Sequence, residues 1–155
     1  MLPFLYNEEM KEKKIVICDI DGTIANNDHR QHFLKEKKDW DGFFSELHKD
    51  EPIFEIIDKV KALEKEGRRI IFLTGRPEKY RQQTEDWLKK YFTFDLELLM
   101  RKDNDRRNKE QIKKELFFSN FKPEEILCCF ENDEGLIKMW KEIDLKVINV
   151  NEIIN

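Results

Sequence analysis

Five short apolar runs, each closed by a polar cluster and separated by stretches of helical periodicity, constrain this chain more than any other feature. The runs are Lys14–Asp19, Arg69–Leu73, Leu96–Met100, Ile126–Phe130 and Lys146–Val150. They are rich in Ile, Val, Leu, Cys and Phe and too short to be buried helices, so they read as buried strands. Between them, Ile53, Ile56, Ile57, Val60 and Leu63 recur at helical spacing over Ile53–Lys65, and Gly67 is placed to stop that helix. Pro77 suits the first turn of a helix running to about Tyr91, and Asn108–Phe118 and Leu136–Ile143 read as further helices. Strands alternating with helices make a parallel sheet covered on both faces, an α/β architecture of about five strands. A chain of 155 residues fits one domain, read here over residues 1–155. Residues 1–13 form an N-terminal extension. Residues 26–50 form a small insertion of two short helices, with Asp39 capping Trp40–His48.

Composition excludes several classes. The net charge of −4 gives no global attraction to nucleic acid or anionic membranes, so polyanion binding requires a local patch. No apolar run approaches the length of a membrane span, and no secretory signal is visible. Cys18, Cys128 and Cys129 lie inside apolar runs and read as reduced core thiols of a cytoplasmic protein; a redox switch at Cys128-Cys129 is the lesser reading.

In an open parallel sheet, ligands bind beyond the carboxyl ends of the strands. Three polar clusters stand there: Asp19 and Asp21; Thr74, Gly75 and Arg76; and Glu131, Asn132 and Asp133. Hydrolysing a phosphate monoester needs a nucleophile, neutralisation of the phosphoryl oxygens and a proton for the leaving group. Asp19 can attack, forming an aspartyl-phosphate. Asp21 can act as general acid and then as base for water, and a neighbouring carboxylate biases it toward its protonated form. Magnesium held by carboxylates and backbone oxygens would cancel the repulsion between nucleophile and phosphate. The Thr74 hydroxyl and the amides around Gly22 and Gly75 can cradle phosphate oxygens, and a lysine completes the positive charge.

Asp19-Ile20-Asp21-Gly22-Thr23 directly after an apolar strand resembles the first motif, D-x-D-G-T, of the haloacid dehalogenase (HAD) superfamily. Leu73-Thr74-Gly75-Arg76 resembles its second motif, and Glu131-Asn132 stands where the acidic pair of its fourth falls. More narrowly, the chain resembles the phosphatase domain of bacteriophage polynucleotide kinase-phosphatase. The shared features are Asp19–Ala25 leading to Arg30, Thr74-Gly75-Arg76, the segment from Met100-Arg101 to Phe117, and Met139-Trp140. The resemblance implies a three-layer HAD-like (Rossmannoid) fold with a small helical cap, and Mg2+ as cofactor. It implies Asp19, Asp21, Thr74 and Lys113 as catalytic residues and Arg30, Gly75 and Arg76 as substrate contacts. Asp19, Asp21, Glu131 and Asn132 would be the metal set. The third-motif lysine falls on Lys113 by counting back from Phe117, with Lys109 and Lys114 as competitors. The implied activity is removal of 3′-phosphates from nucleic-acid ends, paired in function with a separate kinase or ligase.

Two departures stand out. The family carries Asp-Asp where this chain has Glu131-Asn132, which removes one charge from the metal site. Lys109 replaces the acidic residue that precedes the third-motif lysine by a helical turn. Two other functions use the same residues: a small-molecule phosphatase such as a 5′(3′)-nucleotidase, and a catalytically weakened binding or regulatory module. The 46 residues between Gly22 and Arg69 include the helix Ile53–Lys65, leaving too few for a closed lid, and an open site suits a polynucleotide end. Arg101–Lys114 holds seven basic and three acidic residues, either a phosphate track or a solvated helix. Trp40, Phe43 and Phe44 read as the packing face of a small helix or as a base-stacking surface, and packing is the stronger reading.

Overall fold

The computed structural model describes residues 13–154, so the N-terminal extension read over 1–13 lies outside the described residues apart from Lys13. Five parallel strands form the main sheet in the order β5-β4-β1-β6-β7. They are β1 (Ile15–Cys18), β4 (Arg69–Pro77), β5 (Leu98–Arg101), β6 (Ile126–Glu131) and β7 (Val147–Asn149). β1 lies at the centre, paired with β4 on one side and β6 on the other. The chain builds outward from β1 through β4 to β5, then returns to the opposite side of β1 for β6. That reversal opens a crevice at the carboxyl end of β1, where Asp19 follows Cys18.

Side chains alternate across β1 and so divide the core in two. Val16 and Cys18 face one layer with Ile56, Ile57 and Val60 of α2 (Phe54–Lys65) and Trp87 and Leu88 of α3 (Arg81–Lys89). Ile15 and Ile17 face the other, with Phe117 of α4 (Lys109–Phe118) and Leu136, Met139 and Trp140 of α5 (Glu134–Glu142). The same alternation sends Cys128 and Cys129 to opposite faces of β6. All three cysteines are buried with thiols pushed upward, chiefly by burial, as core-filling thiols require.

Caps fall where side-chain chemistry places them. Asp39 accepts from the Gly42 amide ahead of α1 (Trp40–Ser45), Asn108 from Gln111 ahead of α4, and Asp133 from Leu136 ahead of α5. Gly67, at φ +97°, terminates α2. Two details depart from the sequence reading. β4 continues through Thr74-Gly75-Arg76 to Pro77, so these residues extend the strand rather than follow it. The second helix of the 28–50 segment is split into α1 and a 3-10 turn, Leu47–Lys49. That segment is closed at its base by a two-stranded antiparallel ribbon, β2 (Ala25–Asn26) with β3 (Glu51–Pro52). Among the described residues, no helix is long and apolar enough to cross a membrane.

Candidate active site

Asp19 sits at the end of β1 with its amide still in the ladder, donating to Phe130 O at 3.1 Å. The residue is 6% exposed, and both its carboxylate oxygens are engaged. Lys113 Nζ donates to Oδ1 at 2.6 Å and Thr23 Oγ1 donates to Oδ2 at 2.9 Å. Lys113 comes from the buried face of α4, shared with Ile112 and Phe117. It also reaches Glu131 Oε1 at 3.4 Å. The two competing lysines lie elsewhere: Lys109 pairs with Asp133 at 2.5 Å and Lys114 is exposed.

Glu131, 1% exposed, spends both oxygens on protein donors. Oε1 accepts from Lys113 and from Trp140 Nε1 at 3.3 Å, and Oε2 accepts from the amides of Asn132 and Asp133 at 3.1 and 3.3 Å. The metal-ligand role read for Glu131 from sequence therefore conflicts with its geometry, because no free oxygen edge remains. Asn132 is better placed. Its Oδ1 accepts from Thr23 Oγ1 at 3.3 Å, the hydroxyl that also touches Asp19. Asn132 packs over Gly22, where an added Cβ would stand 2.2 Å from Nδ2; with φ at +79°, only glycine fits. The Gly22 amide is spent within the turn, donating to Ala25 O at 2.8 Å, so it does not join a phosphate cradle.

The second acid has a different setting. Asp21 Oδ1 accepts from Arg30 Nη2 at 2.7 Å and Arg76 Nη2 at 2.8 Å, and Oδ2 accepts from Arg76 Nε at 3.1 Å. Both guanidinium groups are buried, at 0% and 1% exposure. Behind them lies Asp50, which accepts from Arg30 Nε and Nη2 at 2.7 Å each, from Arg76 Nη2 at 3.3 Å, and contacts His29 Nε2 at 2.7 Å. Arg76 Nη1 also donates to Thr84 Oγ1, and the Phe43 ring lies 4.3 Å from the Arg30 guanidinium carbon. Arg30 and Arg76, read from sequence as substrate contacts, are thus committed to carboxylates in the protein's interior.

Asp50 is the residue that sequence reasoning missed. It is one acid among many in a charged insertion, and its partners lie 20 and 26 positions away in the chain. Thr23 was visible only as the last letter of the first motif. Thr74 is buried, its hydroxyl accepting from the Arg76 amide at 3.2 Å. Gly75 lies at the edge: its carbonyl accepts from Arg101 Nε at 2.9 Å, and a Cβ there meets only Arg101 at 3.5 Å. Arg101 also holds the carbonyls of Asp105 and Arg107, folding the loop that follows β5, and Arg107 pairs with Asp105 and Glu115. Much of the basic charge of the 101–114 segment is therefore neutralised within the protein.

These surroundings drive the two aspartates apart. Burial, with Glu131 next, raises Asp19 from 3.8 to about 8 despite Lys113. Burial would raise Asp21 too, but Arg76 and Arg30 overcome it and hold that carboxyl at about 2. Asp21 is thus ionised in the free protein, against the protonated bias inferred from sequence. Burial would depress Lys113, yet Asp19 and Glu131 reverse this and hold its ammonium well above the usual lysine range.

A strand-end aspartate paired with a buried lysine, followed two residues later by an arginine-held aspartate, forms the centre of the candidate site. Residues 13–153 match the model of the polynucleotide kinase PNKP phosphatase domain. The chain belongs to this PNKP phosphatase family. It is a HAD-type phosphoric monoester hydrolase domain. Over 141 residues it is 26% identical to a putative bifunctional polynucleotide kinase/RNA ligase of Autographa californica nuclear polyhedrosis virus, covering 89% of this chain and 19% of that protein. Two solved structures of a Pnkp1/Rnl/Hen1 complex, one described as an RNA repair complex, contain chains 30% and 29% identical to this one. Their TM-scores are 0.73 and 0.76, covering 89% and 94% of this chain but 46% and 44% of theirs. The chain thus spans less than half the length of these relatives. A class C acid phosphatase from Bacillus anthracis, 18% identical with a TM-score of 0.61 and covering 88% of this chain and 66% of its own, shares the fold.

Proposed function

We propose that this PNKP-family domain removes the 3′-phosphate from a polynucleotide end through an aspartyl-phosphate on Asp19. The observation that carries the reading is the paired setting of Asp19 and Asp21: one carboxylate beside a single buried lysine, the other gripped by two arginines. Lys113 holds Asp19 by Oδ1 and Thr23 holds it by Oδ2, which fixes its orientation for attack on phosphorus. Lys113 and the Thr74 hydroxyl proton are donors available to developing phosphoryl charge. Asp21 is aimed by Arg30 and Arg76. An arriving phosphate adds negative charge beside Asp21, which raises its proton affinity toward that of a general acid. Protonated, Asp21 gives its proton to the leaving 3′-oxygen; ionised again, it takes one from the water that cleaves the aspartyl-phosphate.

The donor set fits magnesium, with one revision. Asp19 and Glu131 bring two buried carboxylates against one lysine, so Asp19 can ionise fully only if further positive charge arrives. Among the described residues no cluster of three or more His, Cys, Asp or Glu side chains could hold a metal. The ion would therefore rest on Asp19, the Asn132 amide oxygen and the Asp21 backbone carbonyl, all hard oxygen donors. Glu131 would orient Lys113 rather than ligate. Bound there, magnesium supplies charge neutralisation between nucleophile and phosphate.

The polynucleotide end is favoured by the family match and by the short cap over residues 28–50, which leaves room for a chain. A ligase seals only an end bearing a 3′-hydroxyl, so the domain works alongside kinase and ligase activities. The second reading, a nucleotide phosphatase, is favoured by the neutralised charge of the 101–114 segment. Incubation with magnesium and either a 3′-phosphorylated oligonucleotide or free mononucleotides separates the two. Phosphate released from the oligonucleotide supports end processing, and release from mononucleotides alone sinks it.

A further inference from the structure

The 28–50 segment carries an exposed aromatic ring on its outer surface. Trp40 opens α1 with 48% of its surface exposed, a large apolar area left in water. Its ring stacks on Phe44 at 5.9 Å and 22°, and Phe44 lies 4.9 Å from Tyr80 at 34°. The three rings form a ridge from α1 to the 3-10 turn that follows β4. Tyr80 OH donates to Asp41 at 3.1 Å, which ties the two elements together. The ridge is continuous with the site: Phe43, next in sequence to Phe44, lies under Arg30, and the Tyr80 carbonyl accepts from Thr84 Oγ1, the group Arg76 also contacts.

Core packing explains Phe43, at 6% exposure, but leaves nearly half of Trp40 in water even though its ring also meets the edge of Phe43. The charge beside it points to the occupant. Lys38 Nζ lies 5.8 Å from the Trp40 ring, and Lys35 and Lys37 are exposed on the same turn. Among the nearby acids, Glu36 stands exposed between Lys35 and Lys37, leaving the Lys35–Lys38 run at net +2, while Asp39 and Asp41 are taken up by the α1 cap and by Lys79 and Tyr80. An exposed aromatic face flanked by lysines is the combination that holds single-stranded nucleic acid, rings stacking on bases and cations following the phosphates.

We propose that the Trp40–Phe44–Tyr80 ridge stacks a base near the 3′ end of the substrate strand, a reading that rests on the polynucleotide substrate proposed above. Trp40 is then a specificity-determining residue rather than a catalytic one. The test compares kcat/KM on a 3′-phosphorylated single-stranded oligonucleotide with kcat/KM on p-nitrophenyl phosphate, in wild type, Trp40→Ala and Trp40→Phe. Trp40→Ala lowers the ratio of the two by about ten-fold or more, and Trp40→Phe keeps most of it. Abasic substitutions at each of the last three nucleotides locate the stacked base: at one of them, wild type loses activity to the level of Trp40→Ala, and the variant loses no more.

A binding measurement stands apart from turnover. Trp87 and Trp140 are 2% and 1% exposed, so in Asp19→Asn an added oligonucleotide quenches chiefly Trp40 fluorescence, and Trp40→Phe removes that quenching. Oligonucleotide turnover by wild type with an unchanged ratio in Trp40→Ala overturns the ridge and leaves the substrate reading intact. Hydrolysis of p-nitrophenyl phosphate without any turnover of the oligonucleotide overturns the substrate reading itself and the ridge with it.

Discussion

Asp19 and Asp21 stand two residues apart on one turn, yet their surroundings differ as much as two carboxylates in one site can. Around Asp21, two arginines face two aspartates, and the buried charges balance. Around Asp19, one lysine faces two carboxylates, and ionising both leaves negative charge in excess. The balanced cluster is complete in the free protein and serves as a mount. The unbalanced one calls for a cation. Environment, more than residue type, separates the two carboxylates, and in the proposed mechanism it divides nucleophile from proton donor.

The comparison can be broken from either side. Asp19→Asn has the largest effect: phosphate release falls by roughly 10^4-fold or more, because the reacting oxygen is gone. Activity equal to wild type would end the mechanism. Lys113→Met comes next, leaving Asp19 and Glu131 buried without a cation. Stability falls by about 3–5 kcal/mol, since breaking a buried pair strands a charge, and a denaturant melt would show a lower midpoint. An unchanged midpoint would mean that Lys113 does not neutralise the pair.

Asp50→Asn tests the mount. Arg30 and Arg76 lose a shared anchor, Asp21 loses its aim, and kcat falls by about 100-fold with KM little changed. A KM effect alone would make Asp50 a substrate-affinity residue instead. The imbalance at Asp19 also has a signature in pH. Its folded value, about 8, lies above the ordinary 3.8, so between these values the folded protein holds more protons than the unfolded one. Stability in chelator must then fall as pH rises through that window. Asp19→Asn removes this loss, so the gap in Tm between variant and wild type widens toward pH 8. A gap that stays constant with pH would contradict the charge excess. The smallest effect belongs to Asn132→Asp, which adds one charge to the donor set and lowers the magnesium concentration for half-activity by about ten-fold.

What the sequence reveals follows from how local each signal is. β1, β4 and β6 are legible because short apolar runs end at polar clusters, and those ends place Asp19, Thr74 and Glu131 at one end of the sheet. Lys113 is legible because it shares a helical face with Phe117, one turn on, which is fully buried. The β2–β3 ribbon has two residues per strand and no periodicity to detect. Asp50 meets Arg30 only through the fold of the insertion. Arg30 and Arg76 illustrate the general limit: sequence shows a positive charge beside a phosphate site, but not that interior carboxylates claim it first. The Glu131 chemistry is hidden likewise, because Trp140 and two backbone amides reach its oxygens only once α5 is packed.

The central claim is that Asp19 carries the phosphoryl group. The most direct measurement mixes the protein with magnesium and a 3′-phosphorylated oligonucleotide, quenches in acid within one turnover, and maps the phosphoryl adduct by peptide mass spectrometry. The account predicts an acid-stable, base-labile acyl-phosphate on the peptide containing Asp19, absent in Asp19→Asn. Burst release of phosphate with no adduct on that peptide, or an adduct retained in Asp19→Asn, would contradict it.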